Sequence, residues 1–318
     1  MAVFTEVSAP NLAQWLKEHA GLGLQAGPEP VSEGIENTNY TFVADNGGKY
    51  MFTVLEVWDM PRAEYCASLA AHLHRAGQPV PAPAPLAGGR LCHQFAGKPA
   101  LVVEFVAGTP KCAPQTADCR QIAATLASLH RAAGDFAGDL ANARGWQWRQ
   151  QAAERIADRL DADERRLLTA AEQADRSCAE SDLPAAACHC DLFRNNVLWQ
   201  EDRISAIIDF YFAGCDHLLF DLAVTAVDWC FDDQGMLDRE KLAEFAAGYA
   251  SVRPPTEAEK RKAADMFAVA ALRFWLSRLD DRINPRAASI IVEHDPDAFR
   301  RRLASCLDNC ETIRQAFA

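Results

Sequence analysis

Three features that mark large classes of protein are missing from the sequence. No run within its 318 residues reaches the ~18 consecutive apolar residues of a membrane-spanning helix. The N-terminal segment has neither the basic residues nor the apolar core of a secretory signal. Basic residues are outnumbered by acidic ones, with 32 Lys and Arg against 44 Asp and Glu. The resulting net charge of −12 repels phosphate backbones and anionic membranes. We therefore expect a cytoplasmic protein whose partners include neither nucleic acid nor a membrane.

Paired cysteine motifs are also missing. The eleven cysteines are an odd number and include no Cys-x-x-Cys pair, which argues against a disulfide framework and a zinc site. Cys188 and Cys190 flank His189, but in an extended segment the thiols and the ring point to opposite faces. Residues 21–27 are rich in glycine without the spacing of a dinucleotide loop. We expect reduced thiols, and we interpret residues 21–27 as a linker.

The first third of the sequence has the pattern of a small antiparallel sheet. Residues 39–43 and 50–55 are rich in β-branched and aromatic side chains, and the Asn-Gly turn between them is a strong hairpin signal. A helical pattern over residues 62–76 ends at a proline-rich connector. Two further short strands are predicted at 90–95 and 99–105, separated by a tight turn.

The rest of the sequence is mainly helical. Helical periodicity covers residues 116–132 and 146–173, and it dominates again from residue 238 to the end. Residues 185–212 interrupt this pattern with a predicted hairpin. The organisation predicts an α+β, bilobal protein, with a β-rich lobe at 1–106 and a helical lobe at 107–318.

A group of polar residues lies around the predicted hairpin. His189-Cys-Asp191 is followed by Asn196 and then by Asp209 at the end of an apolar strand. Phosphoryl transfer needs a carboxylate beside the attacking hydroxyl and oxygen ligands for Mg²⁺. Asp191 fits the catalytic base, and Asn196 and Asp209 fit the metal ligands. Capping of a turn or strand end explains each of them singly, so the prediction depends on the joint pattern.

Asp209 lies in the motif Ile208-Asp-Phe, and a further motif, Phe220-Asp-Leu-Ala, follows the group. With them, residues 189–223 resemble the aminoglycoside and choline kinase-like phosphotransferases, which are relatives of the protein kinases. Within these, the chain is most similar to the homoserine kinases, on the basis of residues 1–5, 33–40, 208–213, 229–231 and 272–279. The resemblance spans nearly the whole chain.

The resemblance implies a protein-kinase-like fold with ATP and Mg²⁺ as cofactors. The implied reaction is ATP-dependent phosphorylation of L-homoserine to O-phospho-L-homoserine, a step of threonine biosynthesis. Asp191 matches the catalytic aspartate, and Asn196 and Asp209 match the magnesium ligands. His189 matches a histidine that braces the catalytic loop, and Asp221 matches a buried aspartate that steadies it.

The resemblance also places the nucleotide phosphates in the N-terminal lobe. Gly34, Asn37 and Asn39 are the candidate contacts, in a segment that takes the place of the phosphate-covering loop. Protein kinases carry a phosphate-binding lysine on the next strand, where this chain has Thr53, which brings no charge. Glu64 on the following helix is a candidate for the glutamate that pairs with this lysine. Because the lysine is missing, a solvated residue on the helix face is the favoured interpretation.

Residues 103–106 match the backbone segment that binds the adenine edge, which makes Glu104 and Val106 candidates for nucleotide binding.

The substrate contacts are predicted from a late helix. Arg273 and Arg278 lie among apolar residues there, where a bidentate contact to a substrate carboxylate gives an arginine a role. Ion pairing with Asp280 or Asp281 explains them about as well. Other acceptor alcohols stay open, namely choline, ethanolamine, an aminoglycoside or methylthioribose. A non-catalytic binding module is the remaining alternative, and only the missing lysine and the poor glycine loop favour it.

Overall fold

The structure is a computed structural model that describes residues 5–31, 37–283 and 295–318. The chain divides into two compact units. Among the described residues, the first unit contains 5–31, 37–109 and 198–211. The second contains 110–197, 212–283 and 295–318.

The first unit is built on a five-stranded antiparallel sheet. Its spatial order is β1-β2-β3-β5-β4, with the strands β1 Leu24–Pro30, β2 Thr38–Ala44, β3 Lys49–Val54, β4 His93–Phe95 and β5 Lys98–Glu104. The turn between β2 and β3 contains Gly47 at φ 80°, a left-handed conformation that glycine adopts without strain. The predicted hairpin and the two later strands are confirmed.

The linker predicted at residues 21–27 is wrong in its second half. Leu24 begins the edge strand β1, which pairs with β2. A proline cannot donate to a neighbouring strand, but an edge position leaves one side of the strand unpaired. Gly27 approaches β2 so closely that a Cβ atom there would lie 2.9 Å from the Thr41 carbonyl oxygen. The glycine that suggested a linker is therefore needed for strand pairing.

Each face of this sheet packs against a different helix. Helix α1, Ala9–Trp15, packs with the side chains of Phe42, Phe52 and Val102. Helix α2, Met60–Arg75, covers the other face, where Leu101 packs against Ala63 and Ala67. Strand alternation places Phe52 and Thr53 on opposite faces, so Thr53 lies on the α2 face.

A second hairpin belongs mostly to the first unit. Strands β7 (Val197–Gln200) and β8 (Arg203–Ile207) form a two-stranded sheet, as predicted. The Thr109 and Trp199 backbones exchange two hydrogen bonds of 3.0 Å, and the Ile207 N–H donates to the Pro79 carbonyl over 2.7 Å. Backbone hydrogen bonds therefore attach residues 198–211 to the sheet unit.

The second unit is mainly helical. Its helices are α3 Thr116–Ala133, α4 Trp146–Ile156, α5 Ala162–Ala179, α6 Leu218–Trp229, α7 Arg239–Val252, α8 Glu257–Ile283, α9 Pro296–Asp308 and α10 Cys310–Ala316. Helix α8 packs against α4, α5, α6 and α9, and α6 is buried along its whole length. A short antiparallel pair, β6 (Ala185–Cys188) with β9 (Gly214–His217), was not predicted.

These observations confirm the predicted α+β class, an antiparallel sheet and a large helical part. All eleven cysteines lie in the described part of the chain and all are free thiols. Across the described ranges, every helix is too short or too polar to span a bilayer.

Candidate active site

A tight loop follows β6 and carries Asp191. The Asp191 carbonyl oxygen accepts the Phe193 N–H and the Asn196 side-chain amide, each over 2.8 Å. The Asp191 N–H donates to Nδ1 of His189 over 3.3 Å. Cys190 adopts a left-handed φ of 64°, which is uncommon outside glycine and is retained where surrounding contacts enforce it. The structure brings His189, Asp191 and Asn196 together in one hydrogen-bonded loop.

Asp221 on α6 supplies the contacts that enforce this loop. Its carboxylate accepts the backbone N–H of His189 over 2.9 Å and that of Cys190 over 2.7 Å. Burial alone raises the pKa of Asp221, but the hydrogen bond from His130 and the two nearby histidines bring that pKa below its usual range. The carboxylate therefore stays charged and holds the backbone on both sides of the His189–Cys190 peptide.

His130 extends this network beyond the loop. Its Nε2 lies 3.1 Å from the Asp221 carboxylate, and its Nδ1 lies 2.7 Å from the Tyr249 hydroxyl. Arg253 donates to the same hydroxyl over 3.1 Å and pairs with Glu259. The two partners of His130 lie 91 and 119 positions away in the sequence, so its hydrogen bonds connect remote parts of the chain. Only its place at the end of an amphipathic helix was visible in the sequence.

One group within the described residues has the composition of a metal site. His130, Cys188 and Asp221 offer ligand atoms within 4.8 Å of one another. However, both ring nitrogens of His130 and both Asp221 oxygens already take part in hydrogen bonds. The hydrogen bond with the neighbouring Cys190, followed by burial, keeps the pKa of Cys188 well above its usual value, so the thiolate that binds metals is disfavoured. The cluster acts as a hydrogen-bonded support.

Arg273 on α8 faces the Asp191 carboxylate. Its Nη2 lies 3.7 Å from Asp191 Oδ1, and its side chain is 5% exposed against 19% for Asp191. The guanidinium stacks on the Phe274 ring, 3.8 Å from the centroid. A buried cation therefore stands beside the predicted base.

Arg278, one turn further along α8, stacks on Phe299 at 4.5 Å and donates to the Asp295 carbonyl over 3.0 Å. Burial and repulsion from Arg302 lower its pKa to about 10. Asp280, one of the carboxylates considered as a partner for these arginines, forms an ion pair with Arg155 at 2.6 Å.

Asp228 on α6 forms ion pairs with Arg194 and Arg302, two arginines that were not predicted as site residues. Arg194 donates to it from its backbone N–H over 2.8 Å and from Nε over 3.2 Å, and Arg302 contributes a contact of 3.5 Å. Little in the sequence indicated these contacts, because Arg194 and Arg302 lie 34 and 74 positions from Asp228. The carboxylate of Asp228 therefore has cationic partners of its own.

In the first unit, two predicted nucleotide contacts touch each other. Asn39 on β2 lies directly opposite Thr53 on β3, and the Thr53 hydroxyl donates to Asn39 Oδ1 over 2.7 Å. Asn37 is also buried, and its Oδ1 finds no hydrogen-bond partner in the part of the chain that the structure describes. Gly34 lies outside the described residues.

Three further residues of the first unit were predicted from the sequence, namely Glu104, Val106 and Glu64. Glu104 ends β5 and has an exposed side chain, and Val106 lies two residues further along the chain. Glu64 is not simply solvated, which corrects the interpretation given above. Its carboxylate pairs with Arg90 over 3.0 Å and accepts the backbone N–H of Leu91 and Cys92.

Asp209 follows β8 in the first unit and adopts a left-handed φ of 65°. Together with Cys190, it is one of four non-glycine residues with a positive φ in the described ranges. Backbone strain of this kind concentrates at functional sites, and here two of the four instances fall on or beside predicted catalytic residues.

Comparison with known proteins gives a consistent result. A model of the phosphotransferase enzyme family matches residues 28–255. The chain belongs to the phosphotransferase enzyme family. It is 40% identical to a homoserine kinase of Paraburkholderia phymatum, with 95% of this chain and 97% of that protein covered. It is also 40% identical to a homoserine kinase of Cupriavidus taiwanensis, with 97% and 96% covered.

Among solved structures, this phosphotransferase resembles a choline/ethanolamine kinase family protein from Mesorhizobium loti. The TM-score is 0.66 at 21% identity, and 93% of each chain is covered. At that identity the likeness establishes the fold alone. The matches confirm the predicted family resemblance and the prediction that the chain is an enzyme, a kinase.

Proposed function

We propose that this phosphotransferase transfers the γ-phosphoryl group of ATP to the hydroxyl of L-homoserine, giving O-phospho-L-homoserine for threonine biosynthesis. The observation that carries the proposal is identity of 40% over nearly the full length to proteins that are homoserine kinases. Such coverage includes both units, so the resemblance extends to the residues that select the acceptor as well as to those that bind the nucleotide.

Asp191 is the proposed catalytic base. In this role its carboxylate accepts the hydroxyl proton of the substrate as the oxygen attacks phosphorus. The geometry of its loop supports the role. Backbone N–H groups donate to the His189 ring and to the Asp221 carboxylate, and the Asn196 amide donates to the Asp191 carbonyl, so the backbone is held on both sides of the residue. A carboxylate that is already held in place lowers the barrier, because no conformational entropy is lost in ordering it during the reaction.

Asn196 and Asp209 are the proposed Mg²⁺ ligands. Asn196 fits because its side-chain nitrogen donates to the Asp191 carbonyl, which leaves Oδ1 as a hard oxygen donor of the type that Mg²⁺ prefers. Asp209 fits through its carboxylate and its place after an apolar strand. When bound, Mg²⁺ offsets negative charge on the nucleotide phosphates. The proposed nucleotide contacts are Asn37, Asn39 and Thr53, with the backbone at Glu104 and Val106 for adenine.

Arg273 is the proposed partner of the substrate carboxylate. Homoserine has four bonds of about 1.5 Å between its hydroxyl oxygen and its carboxylate carbon, so the two groups lie about 5 Å apart. A hydroxyl at Asp191 therefore leaves the carboxylate within reach of a guanidinium that is 3.7 Å from Asp191. Arg278, on the next turn of α8, adds a second positive charge that favours a substrate carboxylate. A cationic alcohol without a carboxylate, such as choline, would meet the like charge of Arg273 at this position.

The first experiment is ADP release by the purified protein with ATP and Mg²⁺, against L-homoserine, choline, ethanolamine, kanamycin and methylthioribose. We expect release with homoserine only. Release with another acceptor alone would keep the proposed role of Asp191 and overturn the substrate. Absence of release with all five would favour the binding-module alternative.

A second experiment tests the carboxylate contact. We expect 3-aminopropan-1-ol, which keeps the hydroxyl and amine of homoserine but lacks its carboxylate, to be a poor acceptor. Arg273→Met should raise the KM for homoserine by about 10- to 100-fold, the range for loss of a charge-assisted hydrogen bond, and leave the KM for ATP unchanged. Equal KM values for the variant and the wild type would remove Arg273 from the site.

A further inference from the structure

A chain of hydrogen bonds begins at the N-terminal end of helix α8. Glu259, in the first turn, accepts the Thr256 N–H over 2.8 Å, and the Thr256 hydroxyl accepts the Glu259 N–H over 3.2 Å. These reciprocal contacts form a capping box. The Glu259 carboxylate also accepts two hydrogen bonds from Arg253, over 2.9 and 3.2 Å. Arg253 in turn donates to the Tyr249 hydroxyl over 3.1 Å. The cap of α8 is therefore connected to a tyrosine of α7.

Tyr249 connects this cap to the histidine that contacts Asp221. Its phenol oxygen lies 2.7 Å from Nδ1 of His130, and the two rings meet edge to face with centroids 5.7 Å apart. Tyr249 is 0% exposed and His130 is 3% exposed. Because both rings are buried, their polar atoms depend on protein partners for their hydrogen bonds.

The direction of each hydrogen bond follows from the protons available. A guanidinium can only donate, so the Tyr249 oxygen is the acceptor in its contact with Arg253. An ionised carboxylate can only accept, so Nε2 of His130 carries the proton that it shares with Asp221. Burial raises the pKa of Tyr249, so the phenol keeps its single proton. That proton is donated to Nδ1 of His130, which makes the imidazole neutral with its own proton on Nε2.

The other protonation states of His130 leave polar atoms unsatisfied. A doubly protonated ring would donate from Nδ1, and the Tyr249 proton would then have no acceptor within the described ranges. A ring protonated on Nδ1 alone would direct the Nε2 lone pair at the Asp221 carboxylate and lose that hydrogen bond. A buried polar group without a partner costs free energy, so the Nε2–H form is favoured.

We propose that Tyr249 is a positioning residue for phosphoryl transfer, because its hydrogen bond fixes His130 as the Nε2–H tautomer. In this form His130 donates to Asp221, whose carboxylate holds the backbone of the loop that carries Asp191. The partner of one ring nitrogen generally sets the protonation of the other. The inference rests on the proposed role of Asp191, and Tyr249 was not predicted from the sequence.

The ion pair behind Tyr249 sets the direction of the phenol proton. Arg253 occupies one lone pair of the phenol oxygen, so the O–H group is directed toward His130. Glu259 is 1% exposed and balances the charge of the guanidinium. Consecutive hydrogen bonds of one direction polarise each other, which makes the phenol a better donor. Arg253 and Glu259 therefore act through Tyr249.

The kinetic test is Tyr249→Phe, which removes the hydroxyl and keeps the ring. We expect kcat to fall by about three- to tenfold, the range for one neutral hydrogen bond, with the KM values for ATP and homoserine unchanged. Tyr40→Phe is the matched control, since Tyr40 is also buried and its hydroxyl accepts one hydrogen bond, from the Val7 N–H over 3.3 Å. This control should lower stability without lowering kcat.

Two further measurements need no substrate. Amide hydrogen exchange at residues 189 and 190 should be about three- to tenfold faster in Tyr249→Phe, because Asp221 binds these two N–H groups. Exchange in the sheet unit should stay unchanged. Side-chain nitrogen NMR of the wild-type protein at neutral pH should show His130 protonated on Nε2 alone.

An equal loss of kcat in Tyr40→Phe and Tyr249→Phe, or a rise in a KM value alone, would overturn the proposal. Unchanged exchange at residues 189 and 190 would do the same. A wild-type His130 that is doubly protonated, or protonated on Nδ1, would overturn it even if Tyr249→Phe did not fold. Exchange and NMR use the protein without an acceptor alcohol, so these outcomes are distinct from failure of the homoserine assignment.

Discussion

The two units bury polar groups of different kinds. In the described part of the sheet unit, the buried polar residues are four threonines, one asparagine and Arg62. The helical unit instead buries charged residues, among them Asp175, Asp221, Asp228, Glu259 and Arg273. A buried charge costs several kcal/mol of desolvation and is retained where partners fix its geometry. The comparison indicates that the helical unit uses charge to hold a loop, whereas the sheet unit uses neutral hydrogen bonds at the proposed nucleotide site.

The largest expected effect tests the charge on the proposed catalytic loop. Asp191→Asn keeps the size of the side chain and removes the base, so turnover should fall on the order of 10²-fold or more, with folding intact. Steady-state kinetics and circular dichroism check this. The control is Asp182→Asn, an exposed carboxylate upstream in the same unit, which should keep full turnover. Near-normal turnover in a folded Asp191→Asn protein would contradict the assigned base.

Removing the charge of Asp221, which binds the backbone of the Asp191 loop, should lower the free energy of unfolding. Asp221→Asn leaves His130 and two backbone N–H groups with a weaker partner, and we expect a loss of about 3 kcal/mol in the free energy of unfolding at neutral pH. Urea titration measures it.

The effect of Asp221 should depend on pH with a defined sign. Since folding lowers the pKa of this carboxyl from its ordinary 3.8, its ionised form stabilises the protein at pH values above 3.8. That contribution is lost as the pH falls through the lowered folded value. The difference between wild type and Asp221→Asn should therefore shrink in acid. A difference that stays constant with pH would show that Asp221 acts through packing alone.

A charge introduced into the sheet unit tests whether its buried polar positions tolerate only neutral groups. Thr53→Lys restores the residue type found in protein kinases, but at a buried position where Glu64 is already paired with Arg90. An unpaired buried ammonium is costly, so we expect the free energy of unfolding to fall by about 2 to 3 kcal/mol. Thr53→Val is the control and should lose about 1 kcal/mol. Unchanged stability of Thr53→Lys would show that a carboxylate re-pairs with the new cation.

The smallest effect is expected at Arg278. Burial and Arg302 lower the pKa of this arginine to about 10, which means that the folded state penalises its charge at neutral pH. Arg278→Met keeps the aliphatic stem and should change the free energy of unfolding by no more than about 0.5 kcal/mol. Arg149→Met is the contrast, because Arg149 and Asp175 form a buried pair with contacts of 2.7 and 2.9 Å, and it should lose about 3 kcal/mol. Equal losses would contradict this distinction.

Much of the fold was predictable because its signals are local. The Asn-Gly turn between two alternating runs fixes the β2–β3 hairpin, and helical periodicity fixes α3 within one residue at its end. The strands β1 and β6 escaped prediction for opposite reasons. β1 contains glycine and two prolines, which an edge position tolerates, and β6 has four residues that pair only with a later segment.

The sequence by itself determined the family of this protein and predicted its catalytic loop, because Asp191, Asn196 and Asp209 lie within nineteen residues and carry a specific spacing. Only the tertiary structure decided what holds that loop. His130 reaches Asp221 across 91 positions, and Asp221 accepts the His189 N–H across 32 positions. Hydrogen bonds between remote residues depend on how elements pack, and local sequence patterns carry no record of that packing.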